Sequence, residues 1–461
     1  MRQVLDAAAP LSASAPKGER LISILSEGVP VKWILIALCL ALSASAQEAP
    51  HDHDMGQSSP QQNMAGMNME EHAAFTLPSP HEGSGTSWQP ASVRGHAWMW
   101  KRGGWDFMAH GVIFIDYNQQ GGPRGEGKAE SVNWGMLMEQ HRLGSGTILF
   151  REMFSAESLT SPHPGFPEIF QTGETYHGEP LVDHQHPHNV FAELAMLYTV
   201  PLTEKISWEL YGGPSAEPAL GPVTYIHRAS ASELPMAPLS HHLQDSTHTS
   251  FGVVTTGFVI DRVKLEASAF NGREPNEQRW SIQLAALDSW SGRASVAPAR
   301  NWTAQYSIGR LEHPEALEPG SQWRQTASVE YNRPWHDGGW ATSLIWGRVH
   351  KIATGVNLNS YLLESTLNFR QRNYAFSRLE LVDKDELFPQ ATTLSTYRIG
   401  AYTFGGVRDL VANRAWQMGL GADVTFYSKP GALDAAYGKQ PVSFQIFVRF
   451  RPAKMAGHHS H

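Results

Sequence analysis

The sequence predicts an all-β fold: a transmembrane antiparallel up-and-down β-barrel of about sixteen strands, with a disordered N-terminal leader. Apolar residues are 41% and charged residues 17% of the 461 residues, and both fractions are low for a soluble domain. The chain nevertheless has 15 Trp, 13 Tyr and 19 Phe, unlike a disordered chain. Two-faced segments recur between residues 104 and 451, and long connections alternate with short ones. This combination is typical of a membrane barrel.

Charge and cysteine content exclude several functional classes. The formal net charge is −8, so a basic surface for nucleic acid is not expected. The single cysteine, Cys39, lies in a segment that we expect to be removed. The mature chain would then lack disulfides, thiolate zinc sites and cysteine nucleophiles.

The first hundred residues divide into two predicted segments. Lys32, a short apolar run and Ala44-Ser45-Ala46 indicate a secretory signal, so we assign residues 1–46 to a signal peptide. The length of this leader suggests that translation starts near Val31, and an uncleaved anchor is the alternative. Residues 47–103 are rich in Pro, Gly, Gln, His and Met, and we predict a disordered segment.

The barrel is predicted from alternation, which is clearest in the last segment, where every second residue from Val442 to Phe450 is apolar. The sixteen predicted strands are 104–117, 131–141, 144–156, 190–201, 204–213, 248–260, 262–271, 288–297, 301–311, 321–332, 339–351, 357–370, 373–384, 393–405, 414–428 and 441–451. An even count places both termini at the end with the short turns. A soluble sandwich or propeller is the alternative, but no 40-residue repeat supports a propeller.

Residues 104–451 resemble bacterial outer-membrane β-barrel proteins. The segment Phe447-Val448-Arg449-Phe450 is similar to the aromatic-ended final strand that the outer-membrane assembly machinery recognises in that family, although here a tail, residues 452–461, follows it. The resemblance implies an outer-membrane protein surrounded by lipid, with both termini in the periplasm. It also implies transport of a small solute or metal ion and, by analogy with porins of this size, a homotrimer.

The predicted leader carries a concentration of soft and borderline metal ligands. These ligands are His51, His53, Met55, Met64, Met67, Met69 and His72. Thioethers favour Cu(I), and imidazoles also suit Cu(II), Zn and Ni. The stretch resembles the Met/His-rich leaders of bacterial copper-resistance proteins, which implies binding of copper or another transition-metal ion. A solvated linker is the alternative. The C-terminal tail adds His458, His459 and His461.

A second candidate metal site lies in the long connection before the fourth strand. His184, His186 and His188 alternate, so an extended chain would place their imidazoles on one side. With Asp183 or Glu179 they form a plausible ligand set for Zn, Cu or Ni. A loop packed by hydrogen-bonded histidines is the alternative.

Alternation also predicts which charged residues face the lumen. They are Arg151, Glu193, Glu209, Lys264, Glu266, Arg348, Glu364, Arg370, Arg378, Glu380, Arg398, Asp423 and Arg449. Both signs are present, which suits a polar pore without a clear ion preference. Alternatively, these side chains form a salt-bridge network that plugs or stiffens the barrel.

The patterns together favour an outer-membrane channel or barrel associated with the handling or export of a transition metal, and copper is the metal that we expect. The alternative is a general small-solute porin with no metal role. An enzyme is not expected, because no nucleophile–base pairing can be recognised in the sequence, although some outer-membrane barrels are lipases with a Ser–His pair.

Overall fold

The computed structural model describes residues 77, 79–318, 320–391 and 395–455. The predicted signal peptide, the leader ligands from His51 to His72 and the tail histidines lie outside these residues. The strands are β1 (Ala97–Arg102), β2 (Trp105–Gln119), β3 (Gly127–Glu130), β4 (Asn133–Leu143), β5 (Gly146–Phe154), β6 (Phe166–Pro167), β7 (Glu174–Tyr176), β8 (Glu179–Leu181), β9 (His184–Gln185), β10 (Phe191–Pro201), β11 (Ile206–Ala216), β12 (Ser250–Ile260), β13 (Val263–Phe270), β14 (Ser289–Ala299), β15 (Trp302–Leu311), β16 (Gln322–Trp335), β17 (Gly338–Lys351), β18 (Asn357–Phe369), β19 (Asn373–Lys384), β20 (Tyr397–Ala412), β21 (Trp416–Ser428) and β22 (Val442–Pro452).

The helices are short and lie in the connections. The α-helices are Glu157–Thr160, His241–Gln244 and Asp434–Tyr437, and the 3₁₀ helices are Ala229–Ala231, Ser246–His248 and Gly431–Leu433. Among the residues described, no helix combines the length and hydropathy needed to cross a bilayer.

Sixteen strands, β2, β4, β5 and β10 to β22, form a closed antiparallel barrel. Each strand pairs with its neighbours along the chain, and β22 pairs with β2 to close the sheet, with Phe450 opposite Ile113. The predicted all-β fold and strand number are therefore confirmed. The largest boundary difference is at β20, which continues to Ala412 rather than ending at residue 405. The sequence Gly405-Gly406 resembles a turn, but the ladder runs through it.

Two short strands, β1 and β3, pair with the two ends of β2 and lengthen the barrel wall there. β1 pairs with the beginning of β2, and β3 pairs with its end. The predicted disordered segment, residues 47–103, is therefore ordered at its C-terminal end. Residues 79–96 also make hydrogen bonds to the inner wall, for example from the Lys264 ammonium to the carbonyl of Thr86 at 2.8 Å. Such long-range contacts leave no periodic signal in the sequence.

The outer face of the barrel is an apolar belt. Large side chains such as Leu344, Ile115 and Ile446 are more than half exposed. Aromatic rings group near the strand ends, where Tyr331 contacts Trp302 and Trp340 at the short-turn end. An exposed apolar belt with aromatic residues at its rim matches the hydrocarbon and interfacial layers of a bilayer.

The interior is occupied by two long connections, which we call the first insert (residues 155–190) and the second insert (residues 217–249). In one buried cluster, Ile169 and Phe170 of the first insert and Leu243 of the second insert pack with Val382 and Ile399 of the wall. Another cluster joins further residues of both inserts to β2, β19 and β22. The barrel wall thus has a packed apolar core inside it as well as an apolar belt outside it.

Candidate functional site

The second insert is fastened to the wall by a buried charge cluster centred on Glu364. Its carboxylate accepts hydrogen bonds from Arg228 Nε at 2.8 Å and from Arg378 Nε at 2.7 Å. Arg228 belongs to the insert and also reaches Asp245 Oδ2 at 3.2 Å. All four side chains are almost fully buried. The inward-facing carboxylate of Glu364 on β18 therefore binds the second insert to the wall and is not exposed to a water-filled lumen.

A second cluster fastens the segment of residues 79–96. Arg151 of β5 contacts Glu82 Oε1 at 2.9 Å and Glu193 Oε1 at 2.8 Å. Arg293 of β14 contacts Glu266 Oε2 at 3.0 Å and also donates to the Thr86 hydroxyl. The N-terminal segment is therefore held by charged groups on two separate parts of the inner wall, at β5 and at β14.

A third cluster is built on β22. Arg449 contacts Glu233 of the second insert and Asp409 of β20, and Arg451 Nη1 reaches Glu233 Oε1 at 2.9 Å. The sequence-based alternative of a salt-bridge network inside the barrel describes these three clusters better than an open pore does.

Three of the thirteen residues that were predicted to face the lumen do not face it. Arg348 and Arg398 lie on the outer face near the long-loop ends of β17 and β20, and Arg398 is paired there with Asp383 at 2.8 Å. The outer face near a strand end meets headgroups and water, so a charge is tolerated. Arg370 lies in a turn, with φ of 50°.

The two inserts bring five histidines together in what we call the histidine cluster. Its members are His186, His242, His241, His248 and His188. In that order, successive ring centroids are 5.9, 5.3, 5.1 and 5.1 Å apart. The first and last members come from the first insert and the other three from the second. A continuous row of imidazoles therefore runs along the contact between the inserts.

At one end of the row, two imidazoles face each other. The Nε2 atoms of His188 and His248 are 3.0 Å apart. His248 Nδ1 donates to the carbonyl of Asp245 at 2.9 Å, and His188 Nδ1 lies 2.7 Å from Glu157 Oε2. Both Nδ1 atoms carry the ring proton, because each has an acceptor. In the neutral rings the two facing Nε2 atoms therefore each carry a lone pair, and these lone pairs repel each other. A proton or another cation between the two nitrogens would remove this repulsion.

At the other end, His186 and His242 converge with Glu174. His186 Nε2 is 2.7 Å from Glu174 Oε1, and one ligand atom from each of the three residues lies within 4.8 Å of the others. Burial lowers the pKa of His186, and it lowers the pKa of His242 to about 3. At pH 7 the neutral His242 ring therefore presents a lone pair, whereas each ring nitrogen of His186 faces an acceptor, Glu174 Oε1 or the Pro187 carbonyl. This trio has the composition of a transition-metal site.

The predicted set of His184, His186 and His188 is not gathered on one side. His184 Nε2 contacts Glu126 Oε1 at 2.7 Å and takes no part in the histidine cluster. Each of the three imidazoles binds a carboxylate from a different segment, and these long-range pairings decide the direction of each ring. Asp183 is committed elsewhere, to Arg124 at 2.7 Å.

The predicted ligand set omits His241, His242 and His248, which complete the cluster. Their only signal in the sequence is the concentration of histidine in the second long connection. Nothing local indicates that this connection folds back against the first one.

A separate cluster of three carboxylates surrounds a lysine of the protein. Glu318, Asp385 and Glu386 converge outside the histidine cluster. The Lys351 ammonium lies among them and donates to all three, at 2.7, 2.9 and 3.0 Å. A cation of the protein itself therefore occupies the centre of this group, where a metal ion would otherwise bind.

At least two cavities lie between the inserts and the wall in the part of the chain that the structure describes. One, of about 230 Å³, lies at the short-turn end beside residues 79–97 and is lined by Arg151, His227 and Tyr374 among others. The other, of about 40 Å³, is lined by Glu168, Arg378 and Asp423. The larger cavity could hold a small solute or several waters.

No protein-family model and no curated protein sequence matches this chain. The similar solved structures include an anion-selective porin from Comamonas acidovorans, at 10% identity and a TM-score of 0.48, over 75% of this chain and 99% of that one. They also include the outer-membrane channel DcaP of Acinetobacter baumannii, at 8% identity and a TM-score of 0.46, over 78% and 100%. A third is OmpT of Vibrio cholerae, at 8% identity and a TM-score of 0.46, over 77% and 100%. Each likeness is weak in identity and in TM-score.

Proposed function

We propose that this protein is a porin-type outer-membrane barrel, with both termini in the periplasm, that passes small solutes through a lumen restricted by its own inserts. The observation that carries the proposal is the two-faced closed barrel, with an apolar belt outside and charged, insert-filled space inside. A sixteen-stranded wall is wide enough for an aqueous channel. The inserts reduce this width and set what can cross.

The restriction depends on buried ion pairs between the inserts and the wall. Glu364 is bound by Arg228 of the second insert and by Arg378 of the wall. Removing one partner of a buried pair leaves an uncompensated charge, which is strongly destabilising. Weakening this contact should therefore release the second insert before it opens the wall, whose strands are held by their own ladders.

The proposal is tested by conductance in planar bilayers. We expect small or intermittent currents from the full-length protein and larger, longer openings from Glu364→Gln, which keeps the shape but removes the charge. The control is Asp288→Asn, which weakens the exposed pair with Arg273. Large steady currents from the unmodified protein that Glu364→Gln leaves unchanged would contradict an insert-restricted lumen, and no current from either protein would argue against a channel.

A second candidate function is the handling or export of a transition metal, with copper as the first ion to test. The specific observation in its favour is the histidine cluster, which is placed inside the barrel. The leader residues from His51 to His72 remain predicted ligands. Titration of the full-length protein with copper, beside a variant lacking residues 51–72, tests their part, and equally negligible binding by both would reject it.

We also propose a homotrimer, by analogy with porins of similar size. The mass of the detergent-solubilised protein, measured by light scattering with the detergent contribution subtracted, tests the assembly. A monomer mass across the concentration range would contradict it.

A further inference from the structure

His242 is buried in the second insert, yet neither of its ring nitrogens has a hydrogen-bond partner within the described part of the chain. The nearest carboxylate besides Glu174 is Glu274, whose Oε1 is 3.9 Å from His242 Nδ1, too far for a hydrogen bond. A buried polar group without a hydrogen-bond partner is destabilising, because it has lost its bonds to water and gained none in exchange. Such an atom in a packed interior calls for a ligand that the protein chain does not itself provide.

The surroundings of His242 supply two further ligand atoms and the groups that orient them. His186 Nδ1 lies 3.1 Å from the Pro187 carbonyl, to which it can donate, so that its Nε2 is directed towards Glu174. The other oxygen of Glu174 is 3.4 Å from Arg279 Nη2. Metal-binding histidines commonly donate their second nitrogen to a carbonyl or carboxylate in this way, and metal-binding carboxylates are themselves hydrogen-bonded.

The backbone is also adapted to the position of the His242 ring. Gly173 adjoins Glu174 and has a φ of 113°, and a Cβ there would lie 2.8 Å from Cγ and Nδ1 of His242. Only glycine combines this conformation with so close an approach. The first insert is therefore shaped so that the His242 ring can reach Glu174 and His186.

We propose that Glu174, His186 and His242 bind one borderline divalent transition-metal ion, of the class of Zn²⁺, Cu²⁺ or Ni²⁺, between the two inserts. Two imidazoles and one carboxylate are a ligand set for ions of this class. The basic groups near this position are Arg279, Arg324 and Lys384, and the carboxyl groups near it besides Glu174 are Glu274 and Glu315. This inference deepens the metal-handling function but does not depend on conduction.

The ion would join the two inserts to each other. Glu174 and His186 belong to the first insert and His242 to the second, and each insert is separately fastened to the wall. A bound metal would therefore hold the inserts together along the histidine cluster. Its loss would weaken the contact between them at this point without breaking any strand pairing of the barrel.

The test is zinc binding to the full-length protein and to three variants, measured by equilibrium dialysis and calorimetry. We expect His242→Ala and Glu174→Gln to bind one Zn²⁺ fewer per chain, or to bind it at least about tenfold more weakly. The matched control is His184→Ala, which removes an imidazole of the same insert that also binds a carboxylate but lies outside the site. The leader and tail histidines are identical in all four proteins, so only the difference between them is interpreted.

Equal zinc binding by all four proteins would overturn the proposal, as would an equal loss in His184→Ala. Folding of each variant is checked by circular dichroism and by heat-modifiable migration in gel electrophoresis. If His242→Ala does not fold, the test rests on Glu174→Gln, which preserves the side-chain volume. Co²⁺ adds a second readout, because its visible absorption should change between the unmodified protein and Glu174→Gln. Conductance measured without metal tests the small-solute function separately, so the two failures can be told apart.

Discussion

The wall of this barrel and the inserts inside it follow different physical rules. The wall repeats one local rule, in which alternate side chains face lipid and lumen, and its hydrogen bonds join strands that are adjacent along the chain. The inserts have little repeating structure and are held by pairs that are distant in sequence, such as Arg228 with Glu364. A change in the wall should therefore act on insertion and global stability, whereas a change in the inserts should act on the lumen.

The largest expected effect comes from breaking the contact between the two regions. In Glu364→Ala, Arg228 keeps Asp245, but Arg378 loses its carboxylate in a buried setting. We expect a loss of about 3–5 kcal/mol in the free energy of unfolding. Reversible urea unfolding in lipid vesicles measures this loss. If Glu364→Ala lowers the free energy of unfolding by less than the loss of an exposed ion pair does, the inserts do not stabilise the wall.

A charge on the lipid face should be the next largest effect. Leu344 lies in the middle of β17 and is 57% exposed on the outer face. Leu344→Arg should cost about 2–4 kcal/mol, because a cation would face the bilayer midplane, whereas Val442→Arg at a strand end should cost about 0–1 kcal/mol. Unfolding of both variants in vesicles gives the comparison. Equal costs would contradict the assignment of the apolar belt to the bilayer.

A smaller effect is expected where the wall makes room for the second insert. A Cβ on Gly347 would lie 2.3 Å from the carbonyl oxygen of Leu243. Gly347→Ala should therefore displace the helix His241–Gln244, with a cost of about 1–3 kcal/mol and increased conductance. Gly135→Ala is the control, since a Cβ there has no atom within 4 Å. Unchanged conductance in Gly347→Ala would show that this contact does not restrict the lumen.

The smallest effect should come from a charged pair outside the barrel. Arg398 pairs with Asp383 near the long-loop end, and its side chain is 52% exposed. Arg398→Gln should change the free energy of unfolding by about 0–1 kcal/mol and leave conductance unchanged, because water and salt screen the pair. A loss as large as that of Glu364→Ala would remove the distinction between exposed and buried pairs.

The wall could be predicted from the sequence because strand alternation is a local property. β19 matches its predicted range, and β22 differs from its prediction by one residue at each end. The direction of most inward charges followed from the same alternation, as for Glu364 and Arg449. Arg348 and Arg398 lie on the face opposite to the predicted one, and β20 continues beyond its predicted end at residue 405, through Gly405-Gly406 and a bulge between Asp409 and Val411.

The candidate site could be predicted only in part. The histidine-rich connection was recognised, and two of its three proposed ligands, His186 and His188, belong to the histidine cluster. His184 does not belong to the cluster, because its ring is hydrogen-bonded to Glu126 instead. Spacing along an extended chain indicates which side a residue occupies, but it cannot indicate which distant carboxylate will turn its ring.

The amino-acid sequence by itself determined a closed two-faced barrel, since alternation and the order of long and short connections are written along the chain. Only the tertiary structure decided that the two inserts occupy much of the lumen and that imidazoles from both inserts meet there. His188 and His248 are sixty residues apart in sequence, yet their Nε2 atoms are 3.0 Å apart. Contacts of this kind arise when long connections fold back into an enclosed polar space, where each buried charge and ring nitrogen requires a partner.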